Sequence, residues 1–254
     1  MIYIGIDVHK KICTACVQDR AGKILNEFTF ENKNSGFQQV LYHVQQKKAK
    51  AVIESTGNLW IRLYTTLEAA GIKVVLANPT KTRMIAESAI KTDKVDARTL
   101  TDLLRADLIP SCYVPSPEVR ALRALVRYRT KLVKALTRIK NRIHSHLDKY
   151  ELPPCECTDK FGKGGLQWLE MILSFLDPED QFIVEMELDR VKELQDRIKT
   201  VDQKIAVQAL AAESSFCEAV REDITLLLTL IGVDFFTAVL FLSEIGDISR
   251  FSSP

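Results

Sequence analysis

The sequence predicts an α/β domain with a mixed β-sheet, followed by a long helical region. Three observations lead to this prediction: consecutive β-type segments at the start, alternating helix and strand patterns to about residue 112, and long helical apolar spacing after it. A meander of antiparallel strands joined to crossover units gives a mixed sheet with helices on its faces. The 254 residues are enough for one large domain or two modest ones.

The first 31 residues have the pattern of three strands. Ile2–Val8 is an apolar run, Lys11–Gln18 is rich in β-forming residues, and Lys23–Glu31 alternates between apolar and polar positions. Short polar segments separate them, which predicts an antiparallel meander. The elements predicted after it are a helix over Ser35–Lys48, a buried strand over Ala51–Ile53 that ends at Glu54, a helix from Asn58 to Ala70 that stops at Gly71, and a strand over Lys73–Ala77.

Helical spacing dominates from Pro117 onward. Two apolar seams predict an antiparallel coiled-coil arm or a dimerising stalk, so we expect a homo-oligomer formed through the arm. The first seam contains Leu122, Leu125, Leu132, Leu136, Ile139 and Ile143, and the second contains Val184, Val191, Leu194, Ile198, Val201 and Ile205. We expect domain bounds of 1–112 for the α/β domain, 113–222 for the arm and 223–254 for the start of a further helical domain.

Composition excludes several classes of protein. The chain is 46% apolar and 27% charged, which is ordinary for a globular protein, and no run approaches the roughly 20 apolar residues of a membrane span. The start lacks the basic region and cleavage site of a signal peptide, so we expect a cytoplasmic protein. Six cysteines are too few for a disulfide scaffold in a chain of this length, and we expect reduced thiols.

Charge is unevenly distributed, although the net charge is only +2. Residues 120–150 contain ten Lys or Arg and one acid, whereas residues 177–223 contain thirteen acids and six bases. Such a basic helix repels itself unless an anion lies alongside, which favours nucleic-acid contact over a merely solvated face. The cations of its outer stripe are Arg120, Arg123, Arg127, Lys131, Lys134, Arg138 and Arg142.

Four carboxylates stand at positions typical of a metal site. Asp7 follows a strand of the form apolar-x-Gly-apolar-Asp, and Glu54 ends the next inner strand, so adjacent strand ends can bring them together. Asp93 and Asp96 are three residues apart at the start of a helix and therefore share one face. Such a set of oxygen donors suits Mg²⁺ or Mn²⁺ and phosphoryl transfer. Taken singly, each acid has an ordinary alternative role as a turn residue, an N-cap or a solvated first-turn acid.

The same motifs resemble a known family over residues 1–146, the DEDD transposases of the insertion-sequence-110 type. The motifs are Gly5–Lys10, Glu54–Gly57, Ala77–Pro79 and Lys91–Arg98, followed by the basic helix. The resemblance implies a ribonuclease-H-like (RuvC-like) domain in which the four acids are the catalytic metal ligands for Mg²⁺ or Mn²⁺. It also implies DNA cleavage and joining for transposition, with DNA as substrate and a structured guide RNA as partner.

The resemblance extends to the last part of the sequence. Leu230–Ala238 is similar to the helix-hairpin-helix that opens the family's second domain, with Asp234 in place of the second hairpin glycine. In the family that domain supplies a nucleophilic serine in a Ser-Gly context further downstream, and neither Ser252 nor Ser253 matches it. We therefore expect the sequence to be a truncated transposase that is incomplete for strand transfer.

Several residues near the acids have two interpretations. Lys91, Lys94 and Arg98 lie beside the predicted metal site and are candidates for contact with substrate phosphates, but helix-surface cations are also common. His9 is more typical of a solvent-facing turn than of catalysis, and Ser55 of a turn that orients Glu54. The cysteine pairs at positions 13/16 and 155/157 have no matching ligands at zinc-site spacing.

Other functions stay open at this point. A non-catalytic nucleic-acid-binding remnant would keep the basic arm without the chemistry. A Holliday-junction-resolvase-like nuclease would share the carboxylates, although the arm argues against it. An actin-like ATPase or sugar kinase shares the opening strand pattern but requires a second Gly-rich phosphate loop, which the sequence lacks.

Overall fold

The chain divides into two compact units, residues 1–114 and 115–254. The computed structural model describes residues 1–44, 48–55, 57–85, 92–210 and 215–251, and at Lys94 and residues 215–219 it describes the backbone alone. Lys91 lies outside the described residues. Within the described part of the chain, no helix is both long and apolar enough to cross a membrane.

The first unit is a mixed five-stranded sheet flanked by helices. Strand β1 pairs antiparallel with β2 and parallel with β4, and the order across the sheet is β3-β2-β1-β4-β5. This confirms the predicted mixed sheet. The elements are β1 (Ile2–Val8), β2 (Ile12–Gln18), β3 (Ile24–Glu31), α1 (Asn34–Val44), β4 (Ala49–Glu54), α2 (Trp60–Ala69), β5 (Lys73–Ala77), α3 (Pro79–Ile85) and α4 (Asp93–Arg105).

Two helix bounds differ from their predictions. The helix predicted over Ser35–Lys48 is described only to Val44, and Lys48 lies outside it next to β4. The helix predicted from Asn58 begins at Trp60, because residues 57–59 form a turn in which the Gly57 carbonyl accepts a hydrogen bond from the Trp60 indole at 3.0 Å. The predicted stop at Gly71 is confirmed, since this residue has a φ of +78°, which glycine adopts without strain.

The two faces of β1 have different partners because successive side chains of a strand point to opposite faces. Ile2, Ile4 and Ile6 are buried in the main core with α1 and α2 residues such as Phe37 and Leu63. The residues between them face α4, which packs across β1, β2 and β4. This second face buries a smaller cluster of Val52, Ala77, Leu100 and Leu104, with Tyr3 packed against it.

Gly5 is the point at which α4 lies closest to β1. A Cβ atom added to Gly5 would lie 2.3 Å from the Ala97 carbonyl oxygen, 2.4 Å from the Thr101 Oγ1 and 2.6 Å from the Thr101 nitrogen. Two of these three atoms belong to the α4 backbone, so a side-chain rotation cannot make room. The glycine of the opening motif therefore allows α4 to lie directly on the strand that ends in Asp7.

The second unit is helical. It contains α5 (Pro117–Leu147), α6 (Lys163–Ile172), α7 (Pro178–Leu210), α8 (Ser215–Leu227) and α9 (Phe235–Ile245). α5 and α7 run antiparallel, because Arg129 pairs with Asp202 while Arg142, further along α5, pairs with the earlier residue Glu187. α8 and α9 pack with these helices, and α8 spans the domain bound predicted at residues 222 and 223.

The two predicted apolar seams bury each other. Near one end of the hairpin, Ile139 and Ile143 share a core cluster with Val184, Leu188 and Val191. Near the other end, the α5 residues Leu122 and Val126 share a cluster with Ile205, Ala209 and residues of α8 and α9. The seams therefore do not by themselves require a second chain, and a homo-oligomer stays a prediction.

We expect Gly5→Ala to lower the free energy of unfolding of the first unit by about 1–3 kcal/mol, the usual cost of overpacking a well-packed contact. Urea unfolding followed by circular dichroism measures this change. Adding Thr101→Ala should restore little of the stability, since the other two clashing atoms belong to the backbone. Full rescue by Thr101→Ala would mean that α4 does not approach the Gly5 backbone as closely as described.

Candidate metal centre

Asp7 and Glu54 lie side by side at the carboxyl ends of two parallel strands. β1 and β4 pair in parallel with Ile6 opposite Ile53, so the next residues of the two strands are Asp7 and Glu54. Ile6 and Ile53 point into the main core, and the strand alternation therefore turns both carboxylates toward α4. Asp7 is buried and Glu54 is half-buried.

α4 brings two further acids to this edge of the sheet. The helix begins at Asp93, and its N-cap is Thr92, whose side-chain oxygen accepts a hydrogen bond from the Val95 nitrogen at 3.3 Å. Asp93 is therefore not needed as the cap. Asp96 is half-buried one residue before Ala97, which contacts β1 at Gly5, so its position follows from the seating of α4 on the strand.

His9 lies between two of these carboxylates. Its Nε2 atom is 3.0 Å from Asp7 Oδ2 and 3.5 Å from Asp93 Oδ1. One ligand atom from each of the three residues lies within 4.8 Å of the others, which is a spacing that can hold a metal ion. Among the residues that the structure describes, this is the one group of three or more His, Cys, Asp or Glu side chains with that spacing.

Glu54 and Asp96 lie outside this group of closely spaced ligand atoms, although charge interactions connect both of them with Asp7. Burial raises the pKa of Asp7, His9 opposes this effect, and the nearby charges of Asp93 and Asp96 raise the pKa further. Burial also raises the pKa of Glu54, with additional contributions from Asp7 and Asp96, while Arg83 and His9 lower it. The four predicted acids therefore interact as one group that carries excess negative charge.

Two residues of the cluster were not predicted from the sequence. For His9 the sequence favours a solvent-facing turn, and its side chain is 56% exposed, but its imidazole also lies beside two of the acids. Arg83 of α3 lies close enough to Glu54 to stabilise the charged carboxylate. For His9, the available signal was its position two residues after a strand-end Asp. For Arg83 no sequence pattern indicated a role.

Comparison with known proteins places this cluster in a family. The sequence model of the insertion-sequence-110 DEDD family, described as a transposase, matches residues 4–151, which include all four acids. The chain belongs to this transposase family. The match covers more than half of the chain and extends from the first unit into the basic helix.

Curated relatives agree with the family assignment. The chain is 28% identical over 251 residues to the transposase for insertion sequence element IS1533 of Leptospira borgpetersenii, a match that covers 97% of this chain and 70% of that protein. It is 25% identical over 255 residues to the transposase for insertion sequence element IS1111A of Coxiella burnetii, covering 98% of this chain and 64% of the relative. The chain thus spans about two thirds of the length of these relatives.

The cations predicted near the family's acidic site have different surroundings. Arg98 forms a two-pronged ion pair with Glu27 of β3, which links α4 to the sheet. The Lys94 side chain and the whole of Lys91 lie outside the described residues. Contact of these three residues with substrate phosphates stays a prediction.

Many cations of the basic helix have anionic partners within the second unit. Arg127 binds both Glu244 oxygens at 2.6 and 2.7 Å, and Arg142 binds both Glu187 oxygens at 2.9 Å. Arg123 donates to the carbonyl oxygen of Ser243 at 2.8 Å. The stripe therefore does not need a nucleic acid to balance all of its charge, because α7 and the end of α9 supply part of the required anions.

The middle of the outer face of α5 remains open to solvent. Lys131, Lys134 and Arg138 are exposed there and follow one another at helical spacing, about one turn apart. Arg120, at the start of the helix, donates to the Pro115 carbonyl oxygen at 2.8 Å. Of the seven cations predicted to contact nucleic acid, these three exposed ones are therefore the best candidates.

The structure explains Asp234, which stands in place of the second glycine in the segment that resembles a helix-hairpin-helix. The Asp234 side chain caps α9 by accepting a hydrogen bond from the Thr237 nitrogen at 2.7 Å, which lowers the pKa of the carboxyl group. Gly232 of the connecting turn has a φ of +86°. Asp234 in this position therefore stabilises the start of a helix.

We expect Asp7→Asn to change how the free energy of unfolding depends on pH in the absence of divalent ions. Because burial raises the pKa of Asp7, the wild-type chain loses stability as the pH rises from the ordinary value of 3.8 through the raised folded value. The variant lacks this loss, so its stability relative to the wild type should rise over that window and then level off.

Urea unfolding at a series of pH values checks this expectation. Asp102→Asn is the matched control, because Asp102 lies on α4 but is exposed beside Arg105. If the two variants follow the same pH dependence, burial does not dominate the behaviour of Asp7.

Proposed function

We propose that this chain acts in DNA transposition, by metal-dependent cleavage and joining of DNA. In this proposal the first unit is a ribonuclease-H-like (RuvC-like) domain whose Asp7, Glu54, Asp93 and Asp96 hold Mg²⁺ or Mn²⁺. The main support for the proposal is that the ends of the parallel strands β1 and β4 lie beside the start of α4, in a chain that belongs to a transposase family.

The donor set fits a divalent ion. Carboxylate oxygens are the ligands that Mg²⁺ and Mn²⁺ prefer in proteins. Burial is the main cause of the raised pKa of Asp7 and of Glu54, and repulsion from neighbouring acids adds to it. A cation beside these acids would relieve that repulsion. Ions held by these four acids would supply activation of the attacking oxygen and neutralisation of the leaving oxygen in a phosphoryl transfer.

In this proposal, Asp7, Asp93 and Arg83 have different roles. Asp7 is the buried member that the sheet holds in place, whereas Asp93 is exposed at the start of α4 and can reach toward a substrate. Arg83 stabilises the charged form of Glu54 and keeps a positive charge beside the acids, where a DNA phosphate would also be attracted.

Metal binding tests the proposal without requiring strand transfer from a chain that spans about two thirds of its relatives. Isothermal titration with Mn²⁺ should give binding to the wild type and loss of binding in Asp7→Asn and Asp96→Asn. Asp102→Asn removes the same charge from the same helix away from the cluster and should bind as the wild type does. At a free Mn²⁺ concentration of about 100 times the dissociation constant, binding should stabilise the fold by about 2.7 kcal/mol.

Equal Mn²⁺ affinity in all four proteins would contradict the metal site. If the chain binds nucleic acid but no divalent ion, the non-catalytic remnant becomes the better description. Cleavage of DNA by the chain alone with metal-activated water would instead favour a resolvase-like nuclease.

We further propose that nucleic acid lies along the exposed middle of α5. The supporting observation is that Lys131, Lys134 and Arg138 are solvent-exposed, whereas Arg123, Arg127 and Arg142 are used in contacts within the chain. Both DNA and a structured guide RNA present the phosphates that such a row of cations recognises. Separate binding measurements with a DNA duplex and a structured RNA distinguish the two partners.

Changing Lys131, Lys134 and Arg138 together to Ala should weaken nucleic-acid binding and flatten its salt dependence. For B-DNA the log–log slope should fall in magnitude by about 0.9 for each phosphate contact that is lost. Fluorescence anisotropy at several salt concentrations gives the slope. The matched control changes Lys192, Lys199 and Lys204 of the acidic helix α7, which removes the same charge. An equal change in slope for both triple variants would refute a specific role for α5.

A further inference from the structure

His9 adds a nitrogen donor to a candidate site that otherwise consists of carboxylates. Its side chain is 56% exposed, so nothing in the core forces it toward the acids, yet its Nε2 atom faces both Asp7 and Asp93. The one described group of side chains with metal-binding spacing contains this nitrogen together with an oxygen from each of the two acids. The arrangement therefore calls for a role of the imidazole at the metal centre.

Asn32, which directly follows β3, holds the backbone of the turn that contains His9. The Asn32 side chain, just after β3, donates a hydrogen bond to the His9 carbonyl oxygen at 2.9 Å. The Asn32 nitrogen donates to the Lys11 carbonyl oxygen, also at 2.9 Å, so the same residue fixes both sides of the turn between β1 and β2. The imidazole is thus presented from an anchored turn and not from a free loop end.

We propose that His9 is a nitrogen ligand of the metal centre, which makes the site a mixed nitrogen–oxygen site that prefers Mn²⁺ over Mg²⁺. This inference rests on the proposed metal site of the four acids and adds the metal preference to it.

The geometry suits a shared ion. Two ligands on opposite sides of one ion are about 4 Å apart for Mg²⁺ and about 5 Å apart for Ca²⁺, twice the respective metal–oxygen distances. The ligand atoms of Asp7, His9 and Asp93 lie within 4.8 Å of one another, so small side-chain rotations bring all three to one ion. The half-exposed His9 and the exposed Asp93 have the freedom to make these rotations.

The imidazole nitrogen of His9 determines which metal ion the proposed site prefers. Neutral imidazole is a good ligand for transition metals, whereas Mg²⁺ prefers oxygen donors and retains water. A nitrogen lone pair in place of a further oxygen therefore favours Mn²⁺ over Mg²⁺, because Mn²⁺ accepts both nitrogen and oxygen donors more readily. The two carboxylates beside it supply the negative charge that either ion needs.

Mn²⁺ bound to the full chain provides a direct test, because the electron spin-echo signal of Mn²⁺ reports a coordinated ¹⁴N nucleus. We expect nitrogen coupling in the wild type and its loss in His9→Gln. The Mn²⁺ affinity of His9→Gln should fall by at least about tenfold, because even second-shell partners of metal ligands are worth that much. The Mg²⁺ affinity should fall by a much smaller factor.

His43→Gln is the matched control, since His43 packs against Phe28 in another part of the same unit and should keep the nitrogen coupling. His9→Ala repeats the test in case the glutamine oxygen replaces the nitrogen as a ligand, and circular dichroism checks that each variant is folded. Asp7→Asn separates the two proposals: if it retains wild-type Mn²⁺ binding, the four-acid site itself is wrong. Bound Mn²⁺ without nitrogen coupling in the wild type, or coupling that survives both His9 variants, overturns the role of His9 alone.

Discussion

The close approach of α4 to β1 at Gly5 is the contact on which the rest of the acidic cluster depends. Asp7 is fixed by the sheet and Glu54 by its pairing with the same strand, but Asp93 and Asp96 reach them only because α4 lies directly on β1. Any side chain at position 5 would lift the helix, since the Ala97 carbonyl and the Thr101 nitrogen leave no space for a Cβ atom. Gly5 therefore supports the candidate metal centre through packing, although it supplies no ligand atom.

A second constraint governs the helical unit, where opposite charges are separated along the sequence and brought together by the fold. The antiparallel register of α5 and α7 places Arg129 beside Asp202, Arg142 beside Glu187, and His146 and Lys149 around Asp180. Ion pairs that remain in contact with solvent each contribute little to stability. These pairs mean that a count of the cations of α5 overstates the positive charge available to a partner. The nucleic-acid hypothesis therefore rests on the exposed Lys131, Lys134 and Arg138 in the middle of the helix.

Much of this arrangement could be predicted from the sequence, and the part that could not has a physical reason. Strand alternation and i, i+3 helix spacing are local properties, so they predicted the mixed sheet and brought Asp7, Glu54, Asp93 and Asp96 into consideration. The contact of His9 with Asp93 joins residues 84 positions apart through the angle at which α4 crosses the sheet, and the anchor at Asn32 depends on the pairing of β2 with β3. Likewise, the ion pairs of α5 depend on how α5 and α7 align across the thirty residues that connect them. Counting charges along the chain does not reveal this alignment.

The cluster also connects the proposed chemistry to the stability of the fold. Burying Asp7 beside three other acids is unfavourable, and within the first unit this cost is offset by the apolar contacts that hold α4, including Leu100 and Leu104 against Val52 and Ala77. The same packing that produces repulsion among the carboxylates also holds the backbone segments that carry them in place, because α4 lies directly on the sheet. In the proposed site an ion would therefore bind with little rearrangement of the backbone. The free energy that the repulsion withholds from folding would then become available to metal binding.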